Sequence, residues 1–218
     1  MSMRDSGPGS HDERQLRPRE TQPTVARWID DVCYYGFTQV VVLGLLALWT
    51  VLQTPYVDLA VKTGVVVAAP VTMIAIGTLR SGLVSVGRPW PRLDGSRLGT
   101  GEGYQAYVTR AVYVSATLLG ATYGGALVAL VVDSVLAAIP VAAVTAVALV
   151  ALFPHLTAPG NRRRGARGGV YLACFGLAFA LSTPLDVSVG DPFVVVYFLV
   201  FVGLAAFDLS ARGWRNTA

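Results

Sequence analysis

Lysine is almost absent from this chain, histidine and cysteine nearly so, and charge of either sign is missing from six long intervals. The 218 residues hold sixteen arginines but a single lysine, Lys62, with two histidines and two cysteines. Each shortage excludes something. His11 lies in a polar tail and His155 near a charged connection, so neither has a Glu or Cys partner at metal-ligand spacing. An intramembrane hydrolase needs a nucleophile and base together inside the bilayer, and no such pair is present. Metals, cofactors and catalytic residues are therefore all expected to be absent, and the chain is not expected to be an enzyme. Cys33 and Cys174 both fall toward the arginine-bearing ends of their segments, on the reducing side of a membrane, where a disulfide is not expected. Residues 1–23 lack an apolar core and a cleavage signature, so no signal peptide is read there.

The missing charge is the strongest observation. The intervals 32–57, 63–79, 111–132, 134–161, 168–185 and 192–207 contain no Asp, Glu, Lys or Arg. Charged residues make up 14% of the chain, against about 25% in soluble domains, and mean hydropathy is +0.56. A bilayer core about 30 Å thick needs roughly 20 apolar residues per helix. The intervals reach that length or can be extended to it. They imply an all-α integral membrane protein with six transmembrane helices, arranged as three antiparallel hairpins. The spans are expected at about 34–52, 59–79, 111–132, 135–153, 168–183 and 193–209, inside a domain of 24–211. Residues 1–23 mix both charge signs with Gly, Pro and Ser and read as a disordered tail, and 212–218 as a second tail.

Arginine placement sets the orientation. All sixteen fall in alternate connections and in the two tails, and none lies in the three intervening turns. Short loops rich in Arg and Lys stay on the cytoplasmic side, so both termini are expected in the cytoplasm of a plasma-membrane protein. The Arg-over-Lys bias with abundant Ala, Val and Gly suits a GC-rich prokaryotic genome. Net charge of +4 is spread over segments beside helix ends, which points to anionic lipid headgroups and not to nucleic acid.

Small residues mark packing faces, because apolar helices gain little from leaving lipid and associate through close backbone approach. Ala116, Gly120 and Gly124, with Gly125 beside them, face Ala138, Ala142 and Ala146 across the minimal turn Asp133-Ser134, predicting a tight antiparallel pair. A homodimer seam is the alternative use of these faces. Pro70 and Pro140 each remove a helical donor and are expected to bend their spans. A weak hairpin repeat is visible in Thr54-Pro55 against Thr183-Pro184, and in Val-Tyr at 112–113 and 170–171; duplication and chance in a short apolar alphabet both explain it.

A few polar positions remain as candidates. Lys62 follows Asp58 by one helical turn, an arrangement suited to an ion pair or to a lysine reaching the interface; a transport site is the sharper reading. Gln39 lies within the first span and suits an inter-helix hydrogen bond. Asp58, Asp133, Asp186 and Asp191 gather at the outer face, either as turn formers or as a cation-selecting ring. Asp208 precedes Arg212 by four residues, the spacing of a structural pair. Gly99–Gly103 reads as a flexible loop, and Trp90 as an interfacial anchor. Arg162, Arg163, Arg164 and Arg167 form the densest basic cluster, suited to anionic lipid contact at about 1 kcal/mol each. Two functions follow: a non-enzymatic scaffold or accessory subunit contacting lipid or a membrane-protein partner, or a small transporter or channel with a polar site near Lys62.

Overall fold

A long apolar segment must satisfy its backbone within itself once water is excluded, and a helix is the only single-segment solution. The computed structural model follows that rule. It describes residues 23–53, 59–91, 101–158, 160–182 and 192–210, and among them every regular element is helical. Helix α1 spans Thr24–Leu43 and α2 Leu45–Gln53. They are followed by α3 (Leu59–Ser81), α4 (Gly101–Val132), α5 (Ala138–Leu156), α6 (Asn161–Ser182) and α7 (Pro192–Ser210). The tails at 1–22 and 211–218, and the connections at 54–58 and 183–191 that carry the hairpin repeat, lie outside the described residues.

Among the described residues four helices are long and apolar enough to cross a membrane, and a fifth candidate arises if α1 and α2 are one bent span. The apolar part of the last helix, Val195–Ser210, is shorter. The expectation of six spans is therefore met in its coarser form, an all-helical chain with four or five candidate spans.

Helix α4 is the hub. In its most apolar window 72% of residues are buried, against 22–33% in the other three long helices. Its composition explains the placement, since Ser115, Ala116, Thr117, Gly120, Ala121 and Thr122 let neighbours approach from every side. Helices α3, α5 and α6 pack around it, with α2 and α7 making smaller contacts.

The expected α4–α5 pair forms, through a different set of glycines. Asp133, at φ 54°, turns the chain in the left-handed region that Asp tolerates better than most residues. A short 3₁₀ turn, Val135–Ala137, then leads into α5. Ala138, Ala142 and Ala146 are fully buried along one stripe. A side chain added at Gly125 would sit 2.8 Å from the Ala138 carbonyl oxygen. One added at Gly120 would instead strike Cys174 Sγ on α6 at 2.5 Å, and one at Gly124 would touch nothing. Four-residue steps drift by about 40° each around a helix of 3.6 residues per turn, so one stripe serves two neighbours.

The first expected span is not straight. Helix α1 widens into π-type turns at Asp31–Gly36 and Gln39–Leu43, then breaks at Gly44, where α2 departs at 58°. Ser115 Oγ on α4 donates to the Leu43 carbonyl at 3.2 Å, satisfying an acceptor beside the break. Gly44 suits the break, because a Cβ there would strike the backbone carbonyl oxygen of Val40 and lie 2.5 Å from Leu118 Cδ1. Helix α3 runs unbroken through Pro70. Pro140 falls in the first turn of α5, where a missing N–H is tolerated and no bend is needed. Two expected loops are also helical: Gly101–Gly103 opens α4, and Arg162–Arg167 forms the first turns of α6.

Candidate functional site

Chain direction brings the start of α1, the end of α3, the starts of α4 and α6, and the end of α7 to one end of the bundle. Five charged side chains meet there in two linked groups.

The first group is built on Tyr35. Arg80 Nε lies 3.1 Å from Asp31 Oδ1, and the Arg80 guanidinium stacks 3.4 Å above the Tyr35 ring centroid. Arg110 donates through Nη1 to the Tyr35 hydroxyl and through Nη2 to the Pro91 carbonyl. Trp90 Nε1 reaches the same hydroxyl at 3.4 Å. The rings of Trp90 and Phe153 pack 4.8 Å apart and each sits 5.9 Å from the Arg110 guanidinium carbon. Arg110 is only 2% exposed. His155 holds the start of this loop through a 2.8 Å contact with the Val86 carbonyl.

The second group is built on Asp208, which is 1% exposed. Arg167 approaches it with Nη2 at 3.2 Å from Oδ1 and Nε at 2.9 Å from Oδ2. The Nε contact is a charge contact, its N–H lying off the hydrogen-bond line. Tyr171 donates to Oδ2 at 3.0 Å, and Thr109 donates to Oδ1. A carboxylate with this many donors is stabilised in its ionised form and held in one orientation. Thr109 and Arg110 are neighbours on α4, so the hub helix joins the two groups.

The sequence candidates are distributed differently from this layer. Lys62 is exposed, and Asp58, its expected partner, lies outside the described residues. Gln39 is buried at 6% exposure, with no partner for its Oε1 among the described residues. Thr72 is fully buried with its hydroxyl in the same condition, while Pro70 is exposed. Lys62 and Pro70 are thus exposed where Gln39 and Thr72 are buried. Asp133 is exposed, and Asp186 and Asp191 lie outside the described residues. Arg162 is exposed and Arg163 and Arg164 are half-buried. Arg167 differs from them. It is 6% exposed and committed to Asp208, which sets it apart from the headgroup placement expected for it; Arg212, the expected partner of Asp208, lies outside the described residues. Trp90 is likewise buried, not an interfacial anchor.

Asp31, Tyr35, Arg80, Arg110 and Tyr171 carry the layer without having been singled out in the sequence. A signal existed: Asp31 and Asp208 are acids placed at the arginine-bearing helix ends, where orientation rules require none. Among the described residues no group of three or more His, Cys, Asp or Glu side chains converges as a metal site would need.

Residues 22–160 match a family described as a domain of unknown function (DUF8215), and the chain belongs to that family. The match takes in α1 to α5 and stops before α6. No curated protein and no solved structure shows significant similarity to the chain.

Proposed function

We infer that this family member is a non-enzymatic scaffold or accessory subunit of the plasma membrane. In this reading it spans the bilayer six times with both termini in the cytoplasm, α1 and α2 forming one bent span and α7 the last. Arg162, Arg163 and Arg164 contact anionic headgroups, and the bundle presents its outer faces to lipid, to a partner protein or to a second copy. One observation carries the inference: the buried acids of the arginine-bearing end are engaged by arginines of neighbouring helices, Asp31 by Arg80 and Asp208 by Arg167. Groups so bound hold helices together and are not free to handle protons or ions. Exposure of Lys62 also removes the principal support for a transport site.

The test is lipid retention. Protein extracted from membranes containing phosphatidylglycerol and phosphatidylcholine is analysed by native mass spectrometry, with the Arg162→Gln/Arg163→Gln/Arg164→Gln variant beside it. Preferential retention of phosphatidylglycerol that falls in the variant supports the reading; equal retention of the two lipids by the unaltered chain contradicts it.

A small transporter is the second reading, favoured by the 58° break at Gly44 with the buried, unpartnered Gln39 Oε1 one turn before it. Broken helices with unsatisfied polar groups at mid-depth form solute sites in transporters. Ion or amino-acid flux in proteoliposomes that is lost on Gln39→Leu would establish that reading in place of the first.

A further inference from the structure

Among the described residues, the buried charges of the arginine-bearing layer do not balance. Arg80 is paired with Asp31 and Arg167 with Asp208, but Arg110 has no carboxylate at ion-pair distance among the described residues. Its protein contacts are two neutral oxygens and three ring faces. Its Nε is buried with no acceptor. Removing a guanidinium from water without an anion is costly, and neutral oxygens offset that cost only in part.

Arg80 adds to the excess. It gives Nε to Asp31 and its face to Tyr35, and no described residue accepts from its two terminal nitrogens. Both guanidinium groups therefore contact one tyrosine, Arg80 at 3.4 Å and Arg110 at 5.6 Å from the ring centroid, and among the described residues Asp31 is the one carboxylate paired with either of them. The corner is not sealed. The Arg80 side chain is 21% exposed, and Tyr35 and Pro91 are half-buried along the same edge.

We propose that Arg80, stacked on the Tyr35 ring, and Arg110, at the Tyr35 hydroxyl, form a binding site for one phosphate-bearing anion at the arginine-bearing end of the bundle. Phosphate fits because its oxygens accept several hydrogen bonds at once from planar guanidinium forks. Position favours it too, since basic pockets between helices at the cytoplasmic face lie at the depth of phospholipid headgroups. Tyr35 and Trp90 wall the site, and the Pro91 carbonyl fixes the Arg110 fork. Binding adds the anion that the layer lacks. The site is separate from Arg162–Arg164, which are on another helix and need no defined geometry.

Purified, delipidated protein in a neutral detergent is melted while following tryptophan fluorescence. Phosphatidylglycerol, phosphatidylcholine, and sodium phosphate at constant ionic strength are titrated separately. The expected result is a saturable rise of about 5 °C or more with phosphatidylglycerol at large excess over Kd, and none with phosphatidylcholine. A matching rise with sodium phosphate identifies a free anion as sufficient; its absence identifies the lipid as the source. Arg80→Gln, at a partly exposed position, should weaken half-saturation about tenfold or more, and Arg110→Gln should abolish the response. If Arg110→Gln does not fold, Arg80→Gln decides. The Arg162→Gln/Arg163→Gln/Arg164→Gln variant should keep the full rise, whether or not it has lost bulk lipid preference. Equal rises with both lipids, no rise with any anion, or an unchanged half-saturation in Arg80→Gln overturns the proposal.

Discussion

The two ends of the bundle are held by different chemistry. At the arginine-bearing end, ion pairs tie α1 to α3 and α6 to α7, and a tyrosine and a threonine complete the shell of Asp208. Among the described residues of the opposite end the side-chain links between helices are neutral: Ser182 Oγ donates to the Tyr123 hydroxyl at 2.7 Å, and Trp49 Nε1 donates to Tyr197. Between the ends, small residues let backbones touch. Lipid gives helices little reason to associate by apolarity alone, so directional contacts must choose partners. Charged ones choose more strongly, because loss of one partner strands the other.

That difference can be broken at several points, and the largest effect belongs to Asp208. Asp208→Ala leaves Arg167 buried without its counter-ion and should cost about 3–5 kcal/mol, lowering the melting temperature in detergent and the amount of protein in membranes. Arg167→Met/Asp208→Leu should recover most of that loss, since removing both charges removes the stranded one; failure to recover would make the pair more than electrostatic. In the middle of the bundle, Gly125→Val drives a side chain onto the Ala138 carbonyl and should cost about 1–3 kcal/mol. Gly124→Ala, one residue away in open space, should be nearly silent in the same melts. At the neutral end, Tyr123→Phe removes one hydroxyl and should cost about 0.5–1.5 kcal/mol. A cost matching that of Asp208→Ala would erase the contrast between ends. Lys62→Gln should shift the melting temperature by about 1 °C or less, as expected of an exposed position.

The sequence carried the helices and the short α4–α5 turn, because charge-free runs and a lone Asp-Ser are local signals. It carried the exposure of Arg162 for the same reason. It did not carry the partner of Asp208. Arg212 lies one helical turn away in sequence and Arg167 forty-one residues away, and only the packing of α6 on α7 brings the latter near. Trp90 shows the same limit: flanked by Pro89 and Pro91 it reads as a surface anchor, yet the ring of Phe153 and the guanidinium of Arg110 make a buried place for it. The break at Gly44 was hidden because glycine within an apolar run has many uses, and the crowding that favours it, by the Val40 carbonyl oxygen and by Leu118 on another helix, arises only in the folded chain. The family match ends before α6, so the Arg167–Asp208 pair, which joins α6 to α7, lies beyond the matched region, and the Thr109–Asp208 hydrogen bond ties α7 to a helix within it.

The account depends on the arginine-bearing end lying on the cytoplasmic side of a membrane. The direct measurement replaces both native cysteines with alanine and introduces either Asn161→Cys beside the arginine cluster or Ser134→Cys at the opposite end. A membrane-impermeant maleimide is then applied to intact cells. Labelling at position 134 with protection at 161 until the membrane is permeabilised is the predicted result; labelling at 161 in intact cells would contradict it.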